Sequence, residues 1–343
     1  MSVNVAMWRT ALWQLVKIDD KNKWQGLDVV SKWLIATRSA VTTVTLYSCI
    51  IAGLFAWRTG HFLIVPWLIM TVGLFLAHGT NNLLNDYTDF SRGIDNDNYF
   101  RTQYGVHPLV QKFWDKPTQL RWFLVSGFLA AASGVYALVY SRFDPVVIGL
   151  FAYGALMLLL YTYPLKHFAV GELTIFLIWG PVLIGGVYYV LSGNWNWLVA
   201  LAGVPFGLST ASINIGKHID KSLEDKEKGV TTLPVLIGQT ASRYLNITVI
   251  LLAYLVTLYL VFIPRFLTPA MLIVLIAAPE AFKAIRRLSQ PRPDEPPAGY
   301  PVWPRWFSTL AFLHNRKFGN LFIIAVVIDT LLRIVPTTSA FWR

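Results

Sequence analysis

The run FLIVPWLIMTVGLFLAHGTNNLLNDYTDFSRGID, residues 62–95, changes character part-way along. Its first part, 62–84, is apolar over the length a helix needs to cross a bilayer, about 20 residues. Its second part turns to amides and carboxylates. Asn81, Asn85 and Asp89 are spaced i, i+4, i+8, so a continuing helix stacks them on one face. Asn82, Asp86 and His78 flank that face. Such a stretch reads as a spanning helix whose end presents a hard, oxygen-rich site. Ionisable groups at membrane depth are costly and are retained for function.

Composition agrees with a membrane protein. Of 343 residues, 55% are hydrophobic and 14% charged, with a mean hydropathy of +0.51. Soluble domains carry roughly 25% charged residues. The single cysteine, Cys49, excludes an intrachain disulfide and supplies no zinc or iron–sulfur ligand set. The net charge of +11 reads as basic loops on one membrane face, not as nucleic-acid binding.

About nine segments qualify as spans: 33–57, 62–84, 122–140, 146–163, 171–191, 197–216, 244–263, 269–284 and 319–335. With the N-terminus placed in the cytoplasm, most basic residues fall on the cytoplasmic side. Only Arg58, Arg142, Arg265, Arg333 and Arg343 fall outside, and Arg38 lies within the first span. The expected architecture is all-α: a multi-pass membrane bundle formed by one domain, 33–338, after a cytoplasmic N-terminal segment, 1–32. An amphipathic surface helix is expected near 7–17. Residues 289–305, SQPRPDEPPAGYPVWPR, are too proline-rich for helix and read as a cytoplasmic loop.

The acids gather in two groups at helix ends on the same expected face. The first comprises Asp86, Asp89, Asp95, Asp97 and Asp115. The second lies in NIGKHIDKSLEDKEKG, 214–229, and comprises Asp220, Glu224, Asp225 and Glu227, interleaved with Lys217, Lys221 and Lys228. Mg²⁺ takes one or two carboxylates together with phosphate oxygens, and ammonium groups bind phosphate directly. The blander reading of the second group is a solvated helix end with i, i+4 salt bridges. Two such groups on one face favour a phosphorylated substrate.

These residues carry a resemblance. NDYTDFSRGID, 85–95, resembles the first aspartate-rich motif of the UbiA superfamily of intramembrane prenyltransferases. Residues 220–229 with the following VTTLPVLIG, 230–238, are similar to its second motif. YTYPLKHFAVGELTIFLIWGPVLIGGVYYVLSG, 161–193, resembles the menaquinone-type branch, whose enzymes prenylate 1,4-dihydroxy-2-naphthoate. The likeness covers roughly 33–335. It departs from the family's D-x-x-x-D pattern at the second motif, where Lys221 stands in the first acidic position and Asp220 or Glu224 must substitute. Ser39 follows Arg38 where relatives often have proline.

The resemblance implies nine transmembrane helices around a central cavity, an active site on the cytoplasmic side, and Mg²⁺-dependent transfer from a polyprenyl diphosphate to an aromatic acceptor. It implies metal ligation by Asn85, Asp89 and Asp95 and by Asp220, Glu224 and Asp225. Arg38, Arg92, Lys166, Lys217 and Lys221 would bind the diphosphate. Asp89, Asp225, Lys166 and Tyr163 would carry catalysis. Asn81, Tyr161 and Tyr188 would line the acceptor or prenyl groove, where aromatic faces stabilise an allylic cation. His78 and His218 are candidate bases, and Glu172 a candidate structural acid paired with Lys166. Other acceptors remain open: 4-hydroxybenzoate, homogentisate, chlorophyllide, haem or a glycerol phosphate ether. A cation-coupled transporter is the alternative from another class, although its carboxylates would lie near the bilayer centre and not at helix ends.

Overall fold

The computed structural model describes residues 3–95 and 105–335. Asp97 and the 336–338 end of the expected membrane domain lie outside them. Every regular element among the described residues is helical. Three short helices lead: α1 (Val5–Trp13), α2 (Lys21–Gly26) and α3 (Val29–Ala36). They are followed by α4 (Ser39–Arg58), α5 (Ile64–Ser91), α6 (Lys116–Tyr140), α7 (Pro145–Leu160), α8 (Gly171–Ser192) and α9 (Trp197–Asp220). Next come α10 (Ser222–Glu227), α11 (Leu233–Ile237), α12 (Gln239–Phe262), α13 (Ala278–Leu288) and α14 (Phe307–Ile334). Six of these, α4, α5, α6, α8, α9 and α12, are long and apolar enough to cross a membrane, and α7 is apolar but shorter.

The expected spans are helical with three departures. The first is broken: α3 ends at Ala36 and α4 begins at Ser39, with Arg38 between them at φ 56°. That left-handed conformation is unfavourable for a residue with a Cβ. The fifth bends where Pro181 removes a backbone donor and Gly180 leaves helical geometry at φ −100°, ψ −111°. The Ser48 hydroxyl donates to the Trp179 carbonyl at this bend, 2.7 Å away. The eighth is not one α-helix. Pro269–Ala277 is a 3₁₀ segment, and α13 after it carries Glu280, Lys283, Arg286 and Arg287.

The chain forms two compact units, Met1–Leu46 with Leu68–Pro164, and Tyr47–Trp67 with Leu165–Arg343. In the first, the N-terminal residues are part of the core. Ala11, Trp24 and Trp33 are buried with Leu83, Val106 and Trp114, and Trp24 stacks on Phe113 at 5.1 Å. The helix expected at 7–17 is α1 and stops at Trp13. Asp28 caps α3: it accepts from the Ser31 N–H at 3.0 Å and the Ser31 hydroxyl at 2.5 Å, and from the Trp8 indole N–H at 2.9 Å. Burial disfavours this charge, but the Ser31 and Trp8 hydrogen bonds outweigh it and hold the carboxyl below its usual 3.8. A depressed carboxyl stabilises the fold above its unfolded pKa and loses that contribution as pH falls. The thermal midpoint is therefore expected to drop as pH falls below about 3.8. Asp28→Asn should lower the neutral-pH midpoint and flatten that acid limb, as read by thermal denaturation across pH.

In the second unit, α8 and α9 meet at glycines. A Cβ on Gly207 would lie 2.6 Å from the Phe176 carbonyl oxygen, so only small residues allow this approach. A buried clamp closes another part of this unit. Arg58 reaches Asp329 at 2.9 Å and the Phe266 carbonyl at 2.9 Å, its guanidinium over the Phe266 ring at 4.2 Å. Asp329 also accepts from the Thr268 N–H at 2.6 Å.

Candidate active site

In the first unit, the last turns of α5 carry the first acidic motif, because the helix continues past the apolar run to Ser91. The i, i+4 spacing holds: Asn85 donates to Asp89 at 3.2 Å and to the Thr162 hydroxyl at 3.3 Å. Asp86, Asp89 and Asp95 are all buried. Arg38 reaches Asp86 at 3.3 Å, so the residue in the left-handed junction supplies its counter-charge. His107 lies 3.0 Å from Asp95. Asp86, Asp95 and His107 offer ligand atoms within 4.8 Å of one another, a mixed oxygen–nitrogen set able to hold a cation. His107 has no periodic or motif signal; only the fold brings it to Asp95.

Arg92, just beyond α5, stacks over the Tyr163 ring at 3.8 Å. A cation on an aromatic face stays available to an anion. Tyr161 and Tyr163 follow α7, with Tyr163 half exposed. The Asn81 amide instead donates to the Leu158 carbonyl at 2.8 Å, tying α5 to α7.

In the second unit, the second motif spans the end of α9, α10 and the turn after it. Asp225 is buried, 3.3 Å from Lys221, and accepts from the Thr232 hydroxyl at 3.3 Å. Gly229, at φ 68°, turns the chain so that the Val230 N–H returns to the Asp225 carbonyl. The Glu224 Oε2 atom is buried with no hydrogen-bond partner, which is costly for a carboxylate and fits a site completed by a cation.

Asp220, one of the expected metal ligands, has its carboxylate engaged by protein donors. Its carboxylate accepts from the N–H groups of Trp306, Phe307 and Ser308 at 3.0, 2.9 and 3.0 Å, and from the Ser308 hydroxyl at 2.7 Å. Those donors open α14, so Asp220 is a helix cap that satisfies otherwise orphaned N–H groups and suits the helix dipole. Arg292 from the proline-rich loop donates to the Asp220 carbonyl at 3.0 Å. Tyr188, expected to line the acceptor or prenyl groove, is buried on α8. It lies four turns along α8 from Glu172, roughly 24 Å of helix, and neighbours Arg58 electrostatically.

Lys166 lies on the 3₁₀ turn Leu165–Phe168 and Lys217 on the last turn of α9. Glu172, at the start of α8, lies 2.5 Å from His218 Nδ1, and both side chains are buried. The Glu172 Oε2 atom and the Asn214 amide nitrogen beside this pair are buried without partners. Asn214 and His218 are one turn apart on α9.

A model of the UbiA prenyltransferase family matches residues 46–314. The chain belongs to the UbiA prenyltransferase family. With its apolar helices, this membership makes the chain an integral membrane protein. The human UbiA prenyltransferase domain-containing protein 1 is 28% identical over 232 residues, 66% of this chain and 67% of that protein. The rat protein is 29% identical over 188 residues, and the match spans 54% of either chain, about half the length of that relative. The Drosophila melanogaster homologue is 24% identical over 85% of this chain and 78% of its own length. Two solved structures share the fold. A digeranylgeranylglyceryl phosphate synthase structure aligns with a TM-score of 0.56 at 18% identity, covering 87% of this chain and 97% of that one. A UbiA homologue from Archaeoglobus fulgidus, bound to DMAPP and Mg²⁺, aligns with a TM-score of 0.51 at 14% identity, covering 87% and 99%.

Proposed function

We propose that this member of the family transfers a prenyl group from a polyprenyl diphosphate to an aromatic acceptor, with 1,4-dihydroxy-2-naphthoate as the first choice, in a Mg²⁺-dependent reaction on the cytoplasmic side. The observation that carries the reading is the Asn85–Asp89 pair, aligned one turn apart at the end of α5. The GELTIFLIWGP stretch, 171–181, favours the naphthoate. The oxygen-rich donors and the unpartnered Glu224 oxygen suit Mg²⁺. Asn85, Asp89 and Asp95 would hold it in one set, and Glu224 and Asp225 in the other. When bound, magnesium supplies positive charge that offsets the leaving diphosphate.

The chain's own residues do the rest. Arg38, Arg92, Lys166, Lys217 and Lys221 donate to diphosphate oxygens, Lys221 sharing its charge with Asp225. The allylic C–O bond breaks with its electron pair going to the diphosphate. The Tyr161 and Tyr163 ring faces shelter the cation. A ring carbon of the acceptor forms the new C–C bond, and the displaced proton passes to His218 Nε2. Glu172 orients that imidazole through Nδ1. Glu172→Gln is then expected to lower kcat by about 10²-fold while leaving KM for the diphosphate unchanged. Steady-state kinetics decide; a pure KM effect would assign Glu172 to binding.

The decisive experiment incubates purified protein with Mg²⁺, geranylgeranyl diphosphate and a panel of aromatic acceptors, with products read by mass. A prenylated naphthoate that disappears on chelation supports the proposal. Release of diphosphate with no prenylated aromatic product would overturn the acceptor.

A further inference from the structure

Away from the acidic motifs, α13 and α14 enclose a cavity of about 440 Å³. Its lining follows one stripe of α14, with Leu310, Leu313 and Lys317 at i, i+3, i+7, joined by Arg316, and faces Glu280 and Lys283 on α13. The charges do not cancel. Glu280 is satisfied by Lys317, whose Nζ lies 2.9 Å away across the two helices. Lys283 and Arg316 are exposed and have no ion pair among the described residues. Among the described residues, three cations and one acid therefore line the cavity.

The surroundings say what kind of anion fits. The 3₁₀ segment before α13 is wholly apolar, with Leu275 and Ile276 exposed. Leu310 and Leu313 form the cavity's wall, and both helices also carry an exposed phenylalanine, Phe282 on α13 and Phe312 on α14. Charge begins only within α13. The cavity thus lies where apolar surface gives way to basic surface, the level at which headgroups meet acyl chains. Basic pockets between helices at that level bind anionic lipid headgroups. A soluble anion would use the two cations but gain nothing from the apolar rim.

We propose that this cavity binds the phosphate headgroup of an anionic phospholipid, with Lys283 and Arg316 as the phosphate contacts, the Glu280–Lys317 pair as the brace joining the helices, and the leucine wall seating the acyl chains. The proposal is independent of the prenyl acceptor. It is tested on the full chain in phosphatidylcholine nanodiscs doped with phosphatidylglycerol, scoring lipid retained after mild delipidation by native mass spectrometry. Wild type should retain phosphatidylglycerol over phosphatidylcholine. Lys283→Ala/Arg316→Ala should lose about thirty-fold of that preference, the product of two basic contacts worth about five-fold each. The charge-keeping pair Lys283→Arg/Arg316→Lys should retain it, which separates lost contacts from lost folding. Unchanged retention in the alanine variant overturns the site. Displacement of the lipid by millimolar inorganic phosphate overturns the headgroup assignment in favour of a free-phosphate site.

Discussion

Asp89→Ala is expected to lower the prenyl-transfer rate by about 10³-fold, the size of effect seen when one group that offsets developing charge is removed from a water-poor site. Asp89 is 4% exposed and stands at the end of an apolar helix, aligned with Asn85. A carboxylate there faces little solvent screening, so its charge acts at nearly full strength. Turnover per folded molecule is the measure, with Asp115→Asn as the control. Asp115 caps α6 at its exposed start and has no part in the site, so the control should keep its rate. An Asp89→Ala enzyme working at the wild-type rate would remove α5 from the chemistry.

Asp220→Ala should show the opposite pattern to Asp225→Ala. Removing the Asp220 carboxylate leaves three backbone N–H groups and a hydroxyl at the start of α14 without their acceptor. Truncating a buried charge that is hydrogen-bonded on every side is destabilising by about 3–5 kcal/mol. The thermal midpoint falls, while molecules that remain folded keep turning over. Asp225→Ala should leave the midpoint closer to wild type and abolish turnover. Both are read from one denaturation series with activity normalised to folded protein. A stable but inactive Asp220→Ala would restore that residue as a ligand.

The contrast shows what could be read along the chain. Helix positions were legible because an apolar run of bilayer length has few alternatives to helix, and the first motif because i, i+4 spacing on α5 is local. The second motif was half legible. Asp220 and Asp225 look alike in a list of acids, and what separates them is Ser308, 88 residues away from Asp220. His218 and Glu172, 46 residues apart, were singled out separately, but their pairing needed α8 packed on α9. His107 could not be found, since nothing in its neighbours marks it as Asp95's partner. The departures from smooth helix have the same origin. The break at Arg38 carries no proline or glycine, and the 3₁₀ segment 269–277 is as apolar as any span. Hydropathy reports burial in lipid, not the torsion angles beneath it.

The junction at Arg38 has a consequence for anyone engineering this chain. Its backbone geometry would suit glycine, which visits φ near 56° without a steric penalty. Replacing Arg38 by glycine would relieve about 1 kcal/mol of torsion, less than the roughly 3–5 kcal/mol lost when a buried carboxylate is left without its partner. The same change would strip Asp86 of its neutralising guanidinium. At this codon an unfavourable torsion is outweighed by the ion pair it makes possible, so a library ranked on melting temperature would keep the residue that the acidic end of α5 relies on.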